Sequence, residues 1–344
     1  MVPAMSPTVQ AISFRVTLFL TLAFASSAAI AQTSMDEVHI APRETAVDVA
    51  RADYALNSVA NGETDRGVIR TSVNLVLVPV SITDDLHRPV MGLDQENFQL
   101  FEGKKAQEIK NFSNEDTPVS VGILVDTSGS MSYKLDRARE AVRQFCDAAN
   151  PQDEFFMITF ADTPQVATDF TTSPERLEND LLTARSKGQT SLLDAIYMGL
   201  RKMRSARYTR KALLVLSDGG DNHSRYTEKD VRAALKESDV TIYAVGTYER
   251  YVATQEELLG PELLKKVAGI TGGQAFTITN PGEMPVVTRS IGMQLRHQYM
   301  LAYQPQSLTH DGKWHKISVK LRLPRRLDYL LHIEARPGYY AGGE

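Results

Sequence analysis

Three short segments of the chain carry side chains suited to binding a hard cation. Asp126-Thr127-Ser128-Gly129-Ser130 reads D-x-S-x-S, Gly188-Gln189-Thr190 supplies a further hydroxyl, and Ser217-Asp218-Gly219 supplies a second carboxylate. Together Asp126, Ser128, Ser130, Thr190 and Asp218 offer three hydroxyls and two carboxylates. Oxygen-only donors of this kind select Mg²⁺ or Mn²⁺. Two carboxylates balance a divalent charge. If neutral hydroxyls are the direct ligands, the metal stays electron-poor and favours an anionic oxygen at any open position, such as an Asp or Glu carboxylate offered by another protein. Catalysis suits the set less well. A metal-assisted hydrolase needs a general base within reach of the metal-bound water, and none stands out here. Each residue alone has a plainer reading: Ser130 could cap the helix that follows, and Asp218 could shape a turn before Gly219. The combination is what points to a site.

The elements around these segments give the combination its force. From residue 120 the pattern alternates strand and helix. Strands are expected at 121–125, 154–160, 212–216 and 240–245, of which 121–125 is short and wholly apolar and 212–216 is a buried run, with a further strand at 274–278. Amphipathic or helix-like segments separate them at 134–149, 174–186, 191–206, 228–238, 261–268 and 283–295. Central strands without a polar face imply a mostly parallel sheet covered on both sides by helices. In such an open α/β sheet ligands bind at the carboxyl ends of the strands. Asp126 and Asp218 each close an apolar strand and Thr190 precedes a helix, so all three loops are expected on one edge.

Strand–DxSxS–helix, then a G-x-T loop, then an S-D-G turn resembles the metal-ion-dependent adhesion site of von Willebrand factor A domains, known from integrins, over about residues 118–296. None of the five positions departs from that motif. The resemblance implies that Ser128, Ser130 and sometimes Thr190 touch the metal directly, that Asp126 and Asp218 often act through water, and that a partner carboxylate completes the octahedron. Tyr133 and Lys134 follow the DxSxSM run where the integrin β type carries acidic residues for an adjacent Ca²⁺ site, so no second site is expected there. The flanking stretches NLVLVPVSITDDLHRPVMGLDQENFQLFEGKKAQEI and YMLAYQPQ…DGKWHKISVKL…ARPGYY look like those of secreted bacterial proteins carrying this domain.

The rest of the 344-residue chain frames that domain. Arg15, the apolar run 16–25 and the small residues ending Ala29-Ile30-Ala31 predict a signal peptide over 1–31, cleaved before Gln32. That implies an exported protein, periplasmic or extracellular. No second apolar stretch is long enough to span a bilayer. Residues 32–67 read as a linker or disordered arm. Residues 68–117 and 297–344 are β-rich, with turns at Asp84-Asp85, Arg88-Pro89 and Gly103-Lys104. Each is too short to bury a core alone, so the two are expected to pair into one β-sandwich with the α/β domain (118–296) inserted between them. A net charge of −4 and a lone short basic run, 322–326, exclude nucleic acid as the main partner.

Cys146, the single cysteine, allows no internal disulfide and reads as a buried thiol. His310, Asp311 and His315 straddle a predicted turn and are expected to face solvent. Asp221 and Asn222 read as a solvated turn, and Arg207 to Arg210 as helix-terminal charges. There is no H-E-x-x-H, G-x-S-x-G or P-loop. The reading is therefore a non-enzymatic, exported, metal-dependent binding module for an acidic protein ligand. A structural or assembly subunit of an envelope complex, in which the metal only stabilises the fold, is the alternative; a metal-assisted hydrolase ranks last.

Overall fold

The β-rich start of the computed structural model folds into four strands: β1 (Val76–Asp84), β2 (Phe98–Glu102), β3 (Lys105–Gln107) and β4 (Ile109–Ser113). Residues 75–218, 220–248, 255–305, 311–323 and 331–341 are described. The predicted leader and linker, Gly219, His310 and Arg325 and Arg326 of the basic run lie outside them. Next come β5 (Ser120–Asp126), α1 (Leu135–Ala148), β6 (Glu154–Phe160), β7 (Pro164–Thr171), α2 (Pro174–Thr183), α3 (Leu192–Lys202), β8 (Lys211–Ser217) and α4 (Glu228–Glu237). The chain continues through β9 (Val240–Thr247), α5 (Gln255–Thr271), β10 (Ala275–Ile278), α6 (Met284–Arg296), β11 (Tyr299–Tyr303), β12 (Trp314–Leu321), β13 (Leu331–Ala335) and β14 (Gly338–Tyr340).

The apolar strands form one sheet in the order β10-β9-β8-β5-β6-β7. All its pairings are parallel except that of β7, which runs antiparallel to β6 at the edge. Side chains of β5 alternate between two cores. Val121, Ile123 and Val125 pack with α1, α2 and α6, whereas Leu124 faces the layer made by α3, α4 and α5. The fold is therefore the doubly wound α/β arrangement expected, with helices on both faces. Two elements differ from expectation. β7 departs from the expected pattern because the one fully buried position of PQVATDFT is a hydroxyl residue, Thr168, and its valine, Val166, is exposed, so no apolar stripe marks it. Helix α5 begins before Pro261, which the sequence suggested as its start; Pro261 lies inside the helix, where it gives up one backbone hydrogen bond.

Strands from both ends of the chain pair with one another. One four-stranded sheet runs β13-β1-β11-β4 and the other β14-β12-β2-β3. Val78, Val80 and Ile82 of β1, Leu301 of β11, Leu100 of β2 and Ile317 of β12 share a single apolar core between them. The antiparallel module thus flanks the α/β sheet. The two parts are joined by buried polar contacts. Gln298 Nε2 donates to Ser81 Oγ and to Tyr243 Oη, both at 3.1 Å. The His87 carbonyl, in the turn after β1, accepts from Ser290 Oγ (2.9 Å) and Gln294 Nε2 (3.3 Å) of α6. Arg336 Nη2 donates to the Lys236 carbonyl at the end of α4 (2.8 Å). Among the described residues no helix is long and apolar enough to cross a membrane.

Candidate metal centre

Strand β5 delivers Asp126 to the carboxyl edge of the parallel sheet, fully buried. Its two oxygens are held separately. Oδ1 accepts the Ser128 backbone N–H (2.8 Å), and Oδ2 accepts the Ser217 hydroxyl from the end of β8 (2.6 Å). The chain then makes a single tight turn over Gly129–Met131, anchored by fully buried Met131. Ser128 and Ser130 Oγ lie 3.1 Å apart and share a hydrogen bond. Ser130 does not cap α1. Lys134 occupies that cap position and no side chain fills the role, so both serine hydroxyls stay in the loop.

The second loop is tied to the first by backbone. Gly129 N–H donates to the Gly188 carbonyl (3.0 Å), and Lys187 N–H to the Thr127 carbonyl (2.9 Å). Gly188 takes a left-handed φ of +89° and passes hard against Asp162, where a Cβ would sit 2.6 Å from a carboxylate oxygen. Asp162 Oδ1 in turn accepts the Gln189 N–H (2.8 Å). Thr190 is held from the third loop: its N–H donates to Asn222 Oδ1 (2.9 Å), while its carbonyl accepts the Asn222 and His223 N–H groups (3.1 and 3.0 Å). Asp218 follows β8 directly and is buried, with Lys134 Nζ 3.5 Å from its Oδ2. The five residues singled out by the motif therefore come together on one edge, carried by three mutually bonded loops.

The floor is buried and carries two carboxylates. Burial pushes the Asp126 carboxyl up to about 7; the Asp218 charge adds to this, and hydrogen bonds from Ser128 and Ser217 oppose it. The Tyr248 phenol, just past β9, is pushed up by burial and then by the same Asp218 charge. Tyr248 Oη and Ser191 Oγ are buried without a hydrogen-bond partner among the described residues. The rim is open: Gly129, Gly188, Gln189, Asn222 and His223 are exposed and Ser130 is half-buried. No group of three or more His, Cys, Asp or Glu side chains able to hold a metal exists among the described residues. A cation here would thus rest on the two carboxylates and the hydroxyls of Ser128, Ser130 and Thr190.

Residues 121–220, which hold all three loops, match the family model for the von Willebrand factor type A domain. The chain carries a von Willebrand factor A domain. Over 203 residues it is 24% identical to a UPF0353 protein of Mycolicibacterium gilvum (strain PYR-GCK), covering 52% of this chain and 61% of that protein's length. It is similar in structure to a von Willebrand factor type A protein from Catenulispora acidiphila, with a TM-score of 0.47, 16% identity, and coverage of 77% of this chain and 62% of the other. It is also similar to the conserved hypothetical protein BatB from Bacteroides thetaiotaomicron, with a TM-score of 0.42, 17% identity, and coverage of 51% and 98% respectively.

Several residues that shape the A domain's edge escape the motif. Ser217 lies next to Asp218 in sequence, yet its bond to Asp126 depends on β8 lying beside β5. Lys134 and Asp162 are identified only by tertiary contact. Asn222 and Asp221 are not a merely solvated turn. Asn222 pins Thr190, and Asp221 Oδ1 accepts the Leu193 N–H (3.3 Å) at the start of α3 and the Ser224 hydroxyl (2.6 Å). Expectations away from the edge also change. Arg210 bonds the Leu295 carbonyl at the far end of α6, the Gln298 side chain and the Thr117 carbonyl, so it clamps separate elements together and does not simply close its own helix. His315 does not face solvent. Its Nδ1 lies 2.7 Å from Glu102 Oε1 and its Nε2 3.2 Å from Asp311 Oδ1. Cys146 is a buried free thiol whose pKa burial pushes up to about 12.

Proposed function

We propose that this protein is a non-enzymatic, exported binding module whose A domain holds one Mg²⁺ or Mn²⁺ and uses it to capture an Asp or Glu carboxylate of a partner protein. Asp126 and Asp218 would balance the divalent charge, and Ser128, Ser130 and Thr190 would supply neutral oxygens. The observation that carries the reading is a buried pair of like-charged carboxylates beneath serine and threonine hydroxyls at an exposed rim. Two buried carboxylates raise each other's energy unless cations meet them; Lys134, 3.5 Å from Asp218 Oδ2, offsets one charge of the pair, and oxygen donors of this hardness fit Mg²⁺ or Mn²⁺. When bound, the metal supplies an electron-poor centre that attracts an anionic oxygen. The chain's own part is to hold the donors in fixed loops and to keep bulk water from the floor. Exposed Lys187 and His223 at the rim favour an acidic partner.

The test is capture from an envelope extract on immobilised protein. A specific partner should bind in Mg²⁺, elute with EDTA and be absent from Asp126→Ala beads, and acidic-residue replacement in that partner should locate the captured carboxylate. Capture that persists in EDTA and on Asp126→Ala beads would contradict metal-mediated binding and favour an assembly subunit.

A further inference from the structure

The buried carboxylate pair has a cation of its own. Lys134 sits at the start of α1, and its side chain is 2% exposed. Its Nζ lies 3.5 Å from Asp218 Oδ2 and 5.2 Å from the centroid of the Tyr133 ring. A lysine near a protein surface ordinarily extends its stem so that the ammonium reaches water. Here the stem is turned inward, under the loops, toward the floor of the site. Burying that charge is costly unless an anion meets it, and Asp218 is that anion. The contact is long for an ion pair, so it satisfies Asp218 only in part and leaves Asp126 facing its neighbour's charge.

The charge count has a consequence for ligand order. With Asp126 and Asp218 ionised, Lys134 leaves the floor one negative charge in excess. A divalent cation then turns the excess into one positive charge, and a carboxylate cancels it. We propose that Lys134 is a built-in counter-charge that makes the metal and the acidic ligand bind together instead of the metal binding alone. It repels the incoming cation and so keeps the ligand-free domain weakly loaded. A carboxylate on the metal is attracted by Lys134 and so offsets that repulsion, and whatever factor it adds to the metal's affinity the metal adds to the carboxylate's. The inference rests on the metal reading above. It adds the coupling and the residue responsible for it.

The test uses the full chain and Mn²⁺, with free Mn²⁺ read by electron paramagnetic resonance in chloride or acetate buffer of equal ionic strength. Acetate is the carboxylate probe. Wild type should bind Mn²⁺ more tightly in acetate than in chloride. Lys134→Met should bind Mn²⁺ in chloride about tenfold more tightly than wild type, since a unit charge close by is removed from a buried site, and acetate should add little. Lys134→Arg keeps the charge and should keep the acetate effect. Binding in Lys134→Met that is equal to or weaker than wild type, or a wild type indifferent to acetate, would overturn the inference. If Asp126→Ala abolished binding in that case, the metal site itself would stand. Absence of Mn²⁺ binding in wild type and Lys134→Met alike would overturn both. The wild-type acetate comparison needs no variant, so a Lys134→Met protein that fails to fold leaves the inference testable.

Discussion

Gly188 shows how tightly single residues hold the loops of the proposed metal site. Its φ of +89° lies in the left-handed region, and Asp162 occupies the space that a Cβ would need. Both constraints act at once, so only glycine fits. Gly188→Ala should cost about 1–3 kcal/mol of stability, and a urea titration would measure it. Because the Gly188 carbonyl receives the Gly129 N–H, the same change should weaken Mn²⁺ binding. A variant as stable as wild type would contradict the strained placement. That Asp126, Ser128, Ser130, Thr190 and Asp218 share one edge was legible in the sequence because each sits beside a strand end or helix start that apolar patterning already marks. Ser217, Lys134, Asp162 and Asn222 were not. Their partners lie tens of residues away, and nothing local in the sequence distinguishes a serine or lysine that meets a distant carboxylate from one that meets water.

At the scale of elements, apolar runs were the readable part. β6 falls where the sequence placed it, and β11 opens the β-rich stretch expected after 296, since EFFMITF and YMLAY carry mostly apolar character. β7 and β14 did not declare themselves. Each lies at a sheet edge, so half of its surface is free to be polar. The β-sandwich also contains a link that sequence spacing misread. His315 of β12 joins Glu102 of β2 to Asp311 in the preceding turn, and Glu102 accepts from Tyr303 Oη of β11 in the facing sheet (2.9 Å). Burial works against the charged imidazole, but hydrogen bonds to Glu102 and Asp311, with their charges, raise its pKa above the ordinary value. A folded-state pKa above the unfolded one means that this strap contributes fully below pH of about 6.5 and is lost as pH rises through the raised value. Urea midpoints measured between pH 6 and 9 should therefore fall more in wild type than in His315→Gln. Parallel falls would contradict the strap.

At the scale of the whole molecule, the sandwich and the A domain are joined through side chains that neither could satisfy alone. Arg210 links the segment after β4 with the end of α6, and Tyr243 of β9 shares Ser81 and Gln298 with the sandwich. Trp314, the chain's one tryptophan, lies in β12 and so reports on the sandwich, whereas the far-ultraviolet circular dichroism is dominated by the helices. The two signals should lose structure in a single coincident urea transition in wild type and separate in Arg210→Met. Separate transitions in wild type would contradict the coupling. That the terminal β segments need each other was readable from their shortness; which side chains join them to the A domain was not, because those contacts are set by how the two parts dock. The central claim, a metal held by Asp126 and its neighbours, is tested most directly by a thermal melt of the protein with and without Mg²⁺ or Mn²⁺, beside Asp126→Ala. A melting temperature that rises with metal in wild type and stays fixed in the folded variant is the predicted result. An unchanged wild-type melt, or an equal rise in the variant, would contradict it.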